Sequence, residues 1–250
     1  MCGRYSLATP AGNDLRSRFI GLGESLEIRR RFNVAPGDDV VAVTTSKEGE
    51  PRGELLRWGL VPFWAKDVKV GYKMINARSE TVAEKPAFRD ALKTRRCLIV
   101  ADGFYEWQAR ADGSKGRKRP FHITRSDGAP FAFAGLWASW HGDGAPEAGL
   151  RSCTIITTEA NPKIADIHDR MPVMLPDAAA EEAWLDHGTP VPLLQELLVP
   201  LPAEMTARRA VGYAVSDARH DAPDCLDDAP PEDDAVAAPG PGDDAAPTLF

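Results

Sequence analysis

Short apolar segments alternate with amphipathic and polar segments along most of this chain. Six apolar segments are rich in β-branched and aromatic residues and are bounded by glycine, proline or charge, which is typical of strands. They cover residues 40–45, 55–59, 96–101, 120–124, 131–137 and 152–158. We therefore expect a sheet that forms the centre of the fold.

Three other segments have the apolar spacing and the end signals of helices. They cover residues 9–22, 86–95 and 177–187. In the first, Thr9 is the predicted N-cap and Pro10 lies in the first turn. Gly188 is predicted to end the third helix. The second helix is predicted to bury Phe88, Ala91 and Leu92.

Loops separate these elements, and three of them are long: residues 61–73, 109–119 and 141–149. Long loops inside a compact domain are often functional. The order of elements predicts an α+β fold, with a single compact domain, a mainly antiparallel, barrel-like β core and flanking helices. Residues 1–228 are the predicted domain, and residues 229–250, an acidic segment rich in Pro, Ala and Gly, are predicted to be disordered.

The net charge of −7 for 250 residues first argues against a nucleic-acid partner. Residues 221–250, however, contain nine acidic residues and no Lys or Arg, so residues 1–220 carry 30 basic and 28 acidic residues, a net charge of +2. A basic surface on this body would have to be local. The acidic segment either keeps the protein soluble or competes with phosphate for such a surface.

Four cysteines, Cys2, Cys97, Cys153 and Cys225, are widely spaced, which favours neither a disulfide framework nor a metal site. Cys97 and Cys153 lie in strand-like apolar runs, so we expect them to be buried. No segment resembles a signal peptide or a membrane span. These features predict a soluble cytoplasmic protein without a cofactor, and the lack of an oligomerisation motif indicates a monomer.

Cys2 follows Met1 directly and precedes Gly3, a context in which the initiator methionine is removed. Cys2 would then carry a thiol and a free α-amine, whose reference pKa is about 7.7–8.0. The amine can form a Schiff base with an aldehyde, and the thiol can close a thiazolidine ring on the imine carbon. Taken alone, Cys2 fits better a cysteine that only packs in the core, because free cysteines more often pack than react.

Further segments, when combined, suggest a family. They are MCGRY at the start, NVAP at residues 33–36, RWGLVPFWAK at 57–66, INARSET at 75–81, ADGFYEW at 101–107 and TTEANPKIADIHDRMP at 157–172. Each is weak alone, but in this order they resemble the SOS response-associated peptidase family, the abasic-site processing proteins. The resemblance extends from Cys2 to about Leu226.

The resemblance implies a compact α+β domain that captures abasic sites in single-stranded DNA as a covalent DNA–protein crosslink during the DNA damage response. It implies that Cys2 is the nucleophile and that Asn76, Glu106 and His168 are the other catalytic residues. DNA-bound molecules would associate with the nucleoid. The family name also records a suspected peptidase activity, such as removal of the protein's own leader residue.

The residue types agree with these roles. Glu106 lies among aromatic residues, which raises a carboxyl pKa and suits a general acid or base; a surface acid at a strand end is the alternative. Asn76 offers a donor and an acceptor for the amine or a sugar hydroxyl; a turn residue is the alternative. His168 can transfer protons near neutral pH, whereas most single histidines are structural.

DNA contacts are predicted from charge and aromaticity. Arg4, Arg78 and Arg170 each lie within two residues of Cys2, Asn76 or His168, as expected for a groove that follows a phosphate backbone. A further side chain, Trp64, is predicted to stack on a base next to the lesion. It fits a core position equally well, and for Trp58 a core position is expected.

A Schiff base next to a 3′ phosphate favours β-elimination, so a weak lyase activity is a hypothesis. The main rival class is an N-terminal-nucleophile amide hydrolase, in which the α-amine of a terminal cysteine is the base. Its expected glutamine-site pattern is absent, whereas FYEW, NARSE and HDRMP are present. A noncovalent single-strand binding module and a purely structural domain are the remaining alternatives.

Overall fold

The structure, a computed structural model, describes residues 2–9, 13–110 and 116–230. Twelve strands and four α-helices lie in these ranges. The strands are β1 (Tyr5–Leu7), β2 (Arg31–Val34), β3 (Asp39–Thr45), β4 (Pro51–Trp58), β5 (Asn76–Arg78), β6 (Arg96–Ala101), β7 (Gly103–Gln108), β8 (Arg119–Arg125), β9 (Phe131–Trp140), β10 (Leu150–Glu159), β11 (Arg170–Pro172) and β12 (Thr206–Ala210). The helices are α1 (Asn13–Arg18), α2 (Arg89–Thr94), α3 (Ala178–Leu185) and α4 (Val191–Glu196).

Five strands close into a barrel in the order β10-β4-β3-β6-β9, because β9 also pairs with β10. The β10–β4 pairing is parallel and the other four are antiparallel. At its end, β10 also pairs with β5 in parallel and with β11 in antiparallel orientation. The predicted α+β class with a mainly antiparallel, barrel-like core is confirmed.

A second sheet has the order β12-β8-β7-β1-β2, and all of its pairings are antiparallel. The N-terminal strand β1 lies between β7 and β2, where Tyr5 faces both Phe104 and Val34. This position ties the start of the chain to two strands. The segment that carries Cys2 is thereby anchored beside β7.

Alternate residues of the barrel strands enter two different core clusters, as the two-residue period of a strand requires. Val41 and Val43 pack with residues of the helices, such as Trp184. Val40 and Ala42 pack in the second cluster, which joins the barrel to residues of the five-stranded sheet. Cys2 belongs to that second cluster, so it lies between the two sheets.

Several boundaries differ from the sequence predictions. All six predicted strands are present, but five shorter strands, β1, β2, β5, β11 and β12, together with β7 and α4, were not predicted as elements. The described part of the first helix covers Asn13–Arg18 and ends before the predicted Leu22, whereas Thr9 as its N-cap stays a prediction. The N and Oγ1 atoms of Thr9 donate to Asp102 Oδ2 at 2.6 and 2.9 Å. Pro10 lies outside the described residues.

The other two helices are close to prediction. Phe88, Ala91 and Leu92 are buried by α2 or just before it, as predicted. Helix α3 begins after Asp177, whose carboxylate caps it, and ends at Leu185 rather than at Gly188. Residue Asp186 takes extended backbone angles, and the helix ends two residues before the predicted last residue, His187.

The long loop 61–73 contains a 3₁₀ turn, Val68–Lys73. Residues 111–115 of the second long loop and residues 231–250 lie outside the described residues, so the predicted tail is untested there. Cys97 and Cys153 are buried, as predicted, and neither is in a disulfide. None of the helices in the described ranges has both the length and the apolar composition that a membrane crossing needs.

Candidate active site between the two sheets

Cys2 lies in the core. Its side chain is fully buried, and its Sγ atom is 3.8 Å from the carbonyl oxygen of Arg4. Burial raises the pKa of the Cys2 thiol far above its usual range, and the charge of Glu106 raises it further. In the chain that retains Met1 the thiol is therefore neutral, and it needs a base close by to act as a nucleophile.

Asn76 holds the backbone of Cys2 from the opposite sheet. Its Nδ2 atom donates to the carbonyl oxygen of Cys2 at 2.8 Å. Asn76 begins β5, where the parallel pairing with Ile155 of β10 fixes its position. Its Oδ1 atom is buried and has no hydrogen-bond partner among the described residues. That oxygen is available to a donor that enters the site, such as an amine or a sugar hydroxyl.

Glu106 projects from β7, opposite Phe121 of β8. The side chain is almost fully buried, and burial raises its pKa to about 7, with a smaller contribution from Asp169. A carboxyl group with such a pKa can donate and accept a proton at neutral pH. The direction of this shift is the one that the sequence predicted, and burial is its main cause.

His168 lies in the turn before β11, with 28% of its side chain exposed. Burial is the main reason that its pKa is lowered, so the neutral ring predominates at pH 7. In that form Nδ1 accepts from the backbone N–H of Arg170 at 3.0 Å, which leaves the ring proton on Nε2. Asp169 Oδ1 is 2.8 Å from the same Nδ1, a contact that becomes a hydrogen bond only when the ring is protonated.

Glu106 and His168 experience the same neighbouring charges. Besides burial, Asp169 raises the pKa of both groups, and Lys118 lowers the pKa of both. The two groups therefore face a common space. The sheets bring together Cys2, Asn76 and Glu106, with His168 at the more exposed side of that space.

Arg170 is held by an acid of the INARSET segment. Its two terminal nitrogens lie 2.5 and 3.0 Å from the carboxylate oxygens of Glu80, and Nη2 also donates to the carbonyl oxygen of Thr157 at 2.6 Å. The pairing with Arg170 is the main cause that lowers the pKa of Glu80. A phosphate would have to displace or share this carboxylate to contact Arg170.

The other two predicted arginines differ in exposure. Arg78, at the end of β5, is exposed. Arg4 is partly buried, and its Nη1 atom donates to Asn33 Oδ1 and to the carbonyl oxygen of Val215, both at 2.9 Å. Arg4 therefore connects the N-terminal segment to the end of the domain through the NVAP segment, a structural role that its sequence position did not indicate.

The two tryptophans of the RWGLVPFWAK segment are in opposite environments. Trp58 is buried and donates from Nε1 to the carbonyl oxygen of Ile75 at 2.9 Å, which confirms its predicted core position. Trp64 is 50% exposed and its neighbour Phe63 is 74% exposed. The core alternative for Trp64 is excluded, and a flat aromatic surface beside Pro62 remains available for stacking.

A buried polar network, which the sequence analysis missed, holds β1 against β7 and β8. Ser6 Oγ donates to Asp102 Oδ1 at 2.6 Å and lies 2.9 Å from Nε2 of His122. Burial lowers the pKa of His122 to about 4. A Cβ atom on Gly103 would come within 2.0 Å of His122 Nε2, so the glycine after Asp102 in ADGFYEW was the signal for this close approach.

The amino-acid sequence is similar to those of known proteins. The family model of the SOS response associated peptidase (SRAP) matches residues 1–218. An abasic site processing protein of Bacillus subtilis, YoaM, is 43% identical over 232 residues, which cover 91% of this chain and 98% of that protein. HMCES of Gallus gallus, also named an abasic site processing protein, is 35% identical over 191 residues, or 68% of this chain and 56% of that protein.

Solved structures show the same fold. A crystal structure of a protein from Bordetella bronchiseptica has a TM-score of 0.71 at 29% identity, with 84% of this chain and 100% of that chain covered. One from Bacteroides thetaiotaomicron has a TM-score of 0.77 at 23% identity, with 91% and 100% covered. The family model matches residues 1–218, and YoaM is 43% identical to this chain. This chain belongs to the SOS response associated peptidase family.

Proposed function

We propose that this protein processes abasic sites in DNA by forming a covalent crosslink through Cys2 after removal of Met1. The family and the relatives named abasic site processing proteins support abasic-site DNA as the substrate. The observation that carries the covalent step is the convergence of Cys2, the Asn76 amide and the buried Glu106 carboxyl between the two sheets. A noncovalent binding module needs no such convergence.

The reaction starts when the α-amine of Cys2 attacks C1′ of the ring-opened sugar and gives a carbinolamine. Glu106, whose pKa is raised by burial, donates a proton to the carbinolamine hydroxyl, which leaves as water. The imine forms, and the Glu106 carboxylate then accepts the proton of the Cys2 thiol. The loss of water leaves the imine in its N-protonated form, so sulfur bonds to its carbon, the C=N electron pair returns to the nitrogen, and a thiazolidine ring results with the net release of one water.

The remaining groups have supporting roles in this proposal. Asn76 holds the backbone carbonyl of Cys2 and offers Oδ1 to the amine or a sugar hydroxyl. His168, with its ring proton on Nε2, transfers protons at the exposed side of the site. Arg78, Arg170 and Arg4 are the proposed phosphate contacts, and Trp64 stacks on a neighbouring base.

Single-stranded DNA is the proposed form of the substrate, because a duplex resists the distortion that brings a sugar carbon to a buried residue. A weak lyase activity and self-removal of the leader residue are secondary activities of the same amine and thiol. We propose a cytoplasmic monomer that needs no metal or cofactor and that associates with the nucleoid through DNA. Residues 1–228 are the proposed functional domain.

The test is a denaturing gel of the purified protein with single-stranded DNA that carries one abasic site, without an imine-trapping reductant. Cys2→Ala and an N-terminally acetylated protein are the controls, and mass spectrometry establishes that Met1 is absent. A shifted band for the unmodified protein alone is expected. No shift from a protein that lacks Met1 would refute crosslinking and favour an amide hydrolase, which an amide-cleavage assay would then examine.

A further inference from the structure

The sheet face that carries Glu106 continues beyond the proposed active site. In the pairing of β7 with β8, Glu106 faces Phe121 and Gln108 faces Arg119. In the pairing of β8 with β12, Arg208 faces Ile123. Because directly paired residues and residues two apart lie on the same face of a sheet, Phe121, Arg119 and Arg208 share the face of Glu106.

Two arginines lie over one aromatic ring on this face. The guanidinium carbons of Arg119 and Arg208 are each 5.7 Å from the centroid of the half-buried Phe121 ring. Such stacking orients the guanidinium planes at a low entropic cost. The result is a surface of two guanidinium groups beside an aromatic ring, the combination that binds the backbone and bases of single strands.

A hydrogen-bonded carboxylate connects this surface to the segment that carries His168. Asp166 Oδ2 accepts from Gln108 Nε2 at 3.0 Å, and Asp166 Oδ1 pairs with Nη1 of Arg208. Asp166 precedes His168 by two residues, so the surface and the proposed catalytic turn form one fixed unit. The carboxylate contacts one terminal nitrogen of Arg208.

A third cation, Lys118, directly precedes Arg119 of this surface. It is exposed, next to Arg119 at the start of β8. Its charge also acts, after burial, to lower the pKa of both Glu106 and His168. Lys118 is therefore within electrostatic range of both groups.

We propose that Lys118, Arg119, Phe121 and Arg208, the Phe121 surface, bind the nucleotides on one side of the abasic site. This proposal rests on the proposed function and adds a second contact area to it. The Phe121 surface belongs to the five-stranded sheet, whereas Arg78 and the Trp64 loop follow strands of the barrel sheet. A strand that passes between the sheets contacts Arg78 and Trp64 with one flank and the Phe121 surface with the other.

The test uses single-stranded oligonucleotides that contain a tetrahydrofuran abasic analogue, which has no aldehyde and cannot crosslink. One oligonucleotide has nucleotides only on the 5′ side of the analogue, a second only on the 3′ side, and a third on both. The Lys118→Glu/Arg119→Glu variant is compared with the wild type. Lys47→Glu/Arg52→Glu is the matched control, because it makes the same charge change at exposed positions of the β3–β4 hairpin.

The Lys118→Glu/Arg119→Glu variant should bind one half-substrate at least tenfold more weakly and the other within twofold of wild type. Its salt slope on the affected substrate should fall by about 1.4, the value for two phosphate contacts to a single strand. The control should behave as wild type on all three. Equal losses on both half-substrates, or no loss on either, would overturn the proposal.

The aromatic part is tested with Phe121→Leu, which retains an apolar side chain against the core, and Phe121→Tyr, which retains the ring. Weaker binding of the same half-substrate by Phe121→Leu alone, at unchanged thermal stability, is expected. If Phe121→Leu destabilises the fold, the Lys118→Glu single variant, which changes an exposed residue, is used in its place to test binding by the Phe121 surface. Because the analogue cannot react, these outcomes are independent of whether the wild type crosslinks a true abasic site.

Discussion

Two buried groups should give opposite pH dependences of stability. Burial lowers the pKa of His122 from 6.5 to about 4. Between these values the unfolded chain binds a proton that the folded chain does not, so stability rises with pH. Burial raises the pKa of Glu106 from 4.5 to about 7. Between these values the folded chain retains a proton that the unfolded chain has lost, so stability falls with pH.

The magnitudes follow from the sizes of the shifts. Each group moves by about 2.5 pKa units, and one unit corresponds to about 1.36 kcal/mol, so each contributes about 3 kcal/mol across its window. Both groups are less than a tenth exposed, and solvent screening is small. From pH 4.5 to 6.5 the two contributions nearly cancel, so neither is visible in the pH dependence of the free energy of unfolding of the wild type.

Two neutral variants separate the contributions. His122→Gln retains an amide donor that can reach Ser6, and Glu106→Gln retains the shape of the carboxyl group. Urea unfolding at pH 4.5, 5.5 and 6.5 gives the free energy of unfolding of each. The value for Glu106→Gln minus that for His122→Gln should increase by about 5 kcal/mol over this range, since two opposite slopes of about 1.36 kcal/mol per pH unit add. Every other titrating group contributes equally to both variants and drops out of the difference.

The urea dependence of the unfolding free energy must be the same for both variants, which shows that the unfolded states are comparable. In His122→Gln the ring contact between Tyr105 and His122 is lost. This loss shifts the free energy of unfolding of that variant by the same amount at every pH, so the pH dependence is unchanged. Parallel pH curves for the two variants would refute the reasoning. They would mean that neither burial nor the Ser6–His122 contact perturbs these groups as the geometry implies.

Three further results are expected. Gly103→Ala should destabilise the fold by about 2 kcal/mol, because the new methyl group would lie 2.0 Å from His122 Nε2; an unchanged melting temperature would contradict this. Glu80→Gln should strengthen binding of undamaged single-stranded DNA about threefold at low salt, because it removes the charge that pairs with Arg170; weaker binding would instead show that Glu80 positions Arg170 for phosphate. Removal of residues 231–250 changes the net charge from −7 to −2 and should raise the affinity for DNA at low salt, with a difference that disappears near 1 M salt; an effect independent of salt would exclude an electrostatic origin.

The sequence predicted the elements whose stability is local. The strand at Arg96–Ala101 was predicted at its observed bounds, because its apolar run is bounded by charged residues. The three-residue strands β1, β5 and β11 carry or adjoin Cys2, Asn76 and His168, yet none has a pattern of its own. Each is a strand only because a neighbour supplies the hydrogen bonds, and such pairing cannot be read from a short segment.

The candidate site was predicted through motifs, but its environment was not. The aromatic neighbours of Glu106 correctly indicated a raised pKa. The burial of Cys2 and the partners of Arg170 and Arg4 depend on residues far away in the chain. Glu80 lies 90 residues before Arg170, and Asn33 lies 29 residues after Arg4. No spacing rule connects residues at such separations.

The end of the described chain has a consequence for solubility. β2 is an edge strand, and the carboxylate of Asp221 accepts from the backbone N–H groups of Phe32 and Asn33 at 2.6 and 2.9 Å. The Asn33 amide in turn donates to the carbonyl oxygens of Asp217 and His220. A chain cut after residue 218, where the family match stops, would lose this cover and present unpaired donors to other molecules. Truncation at that boundary should favour edge-to-edge aggregation, even though every proposed catalytic residue is retained.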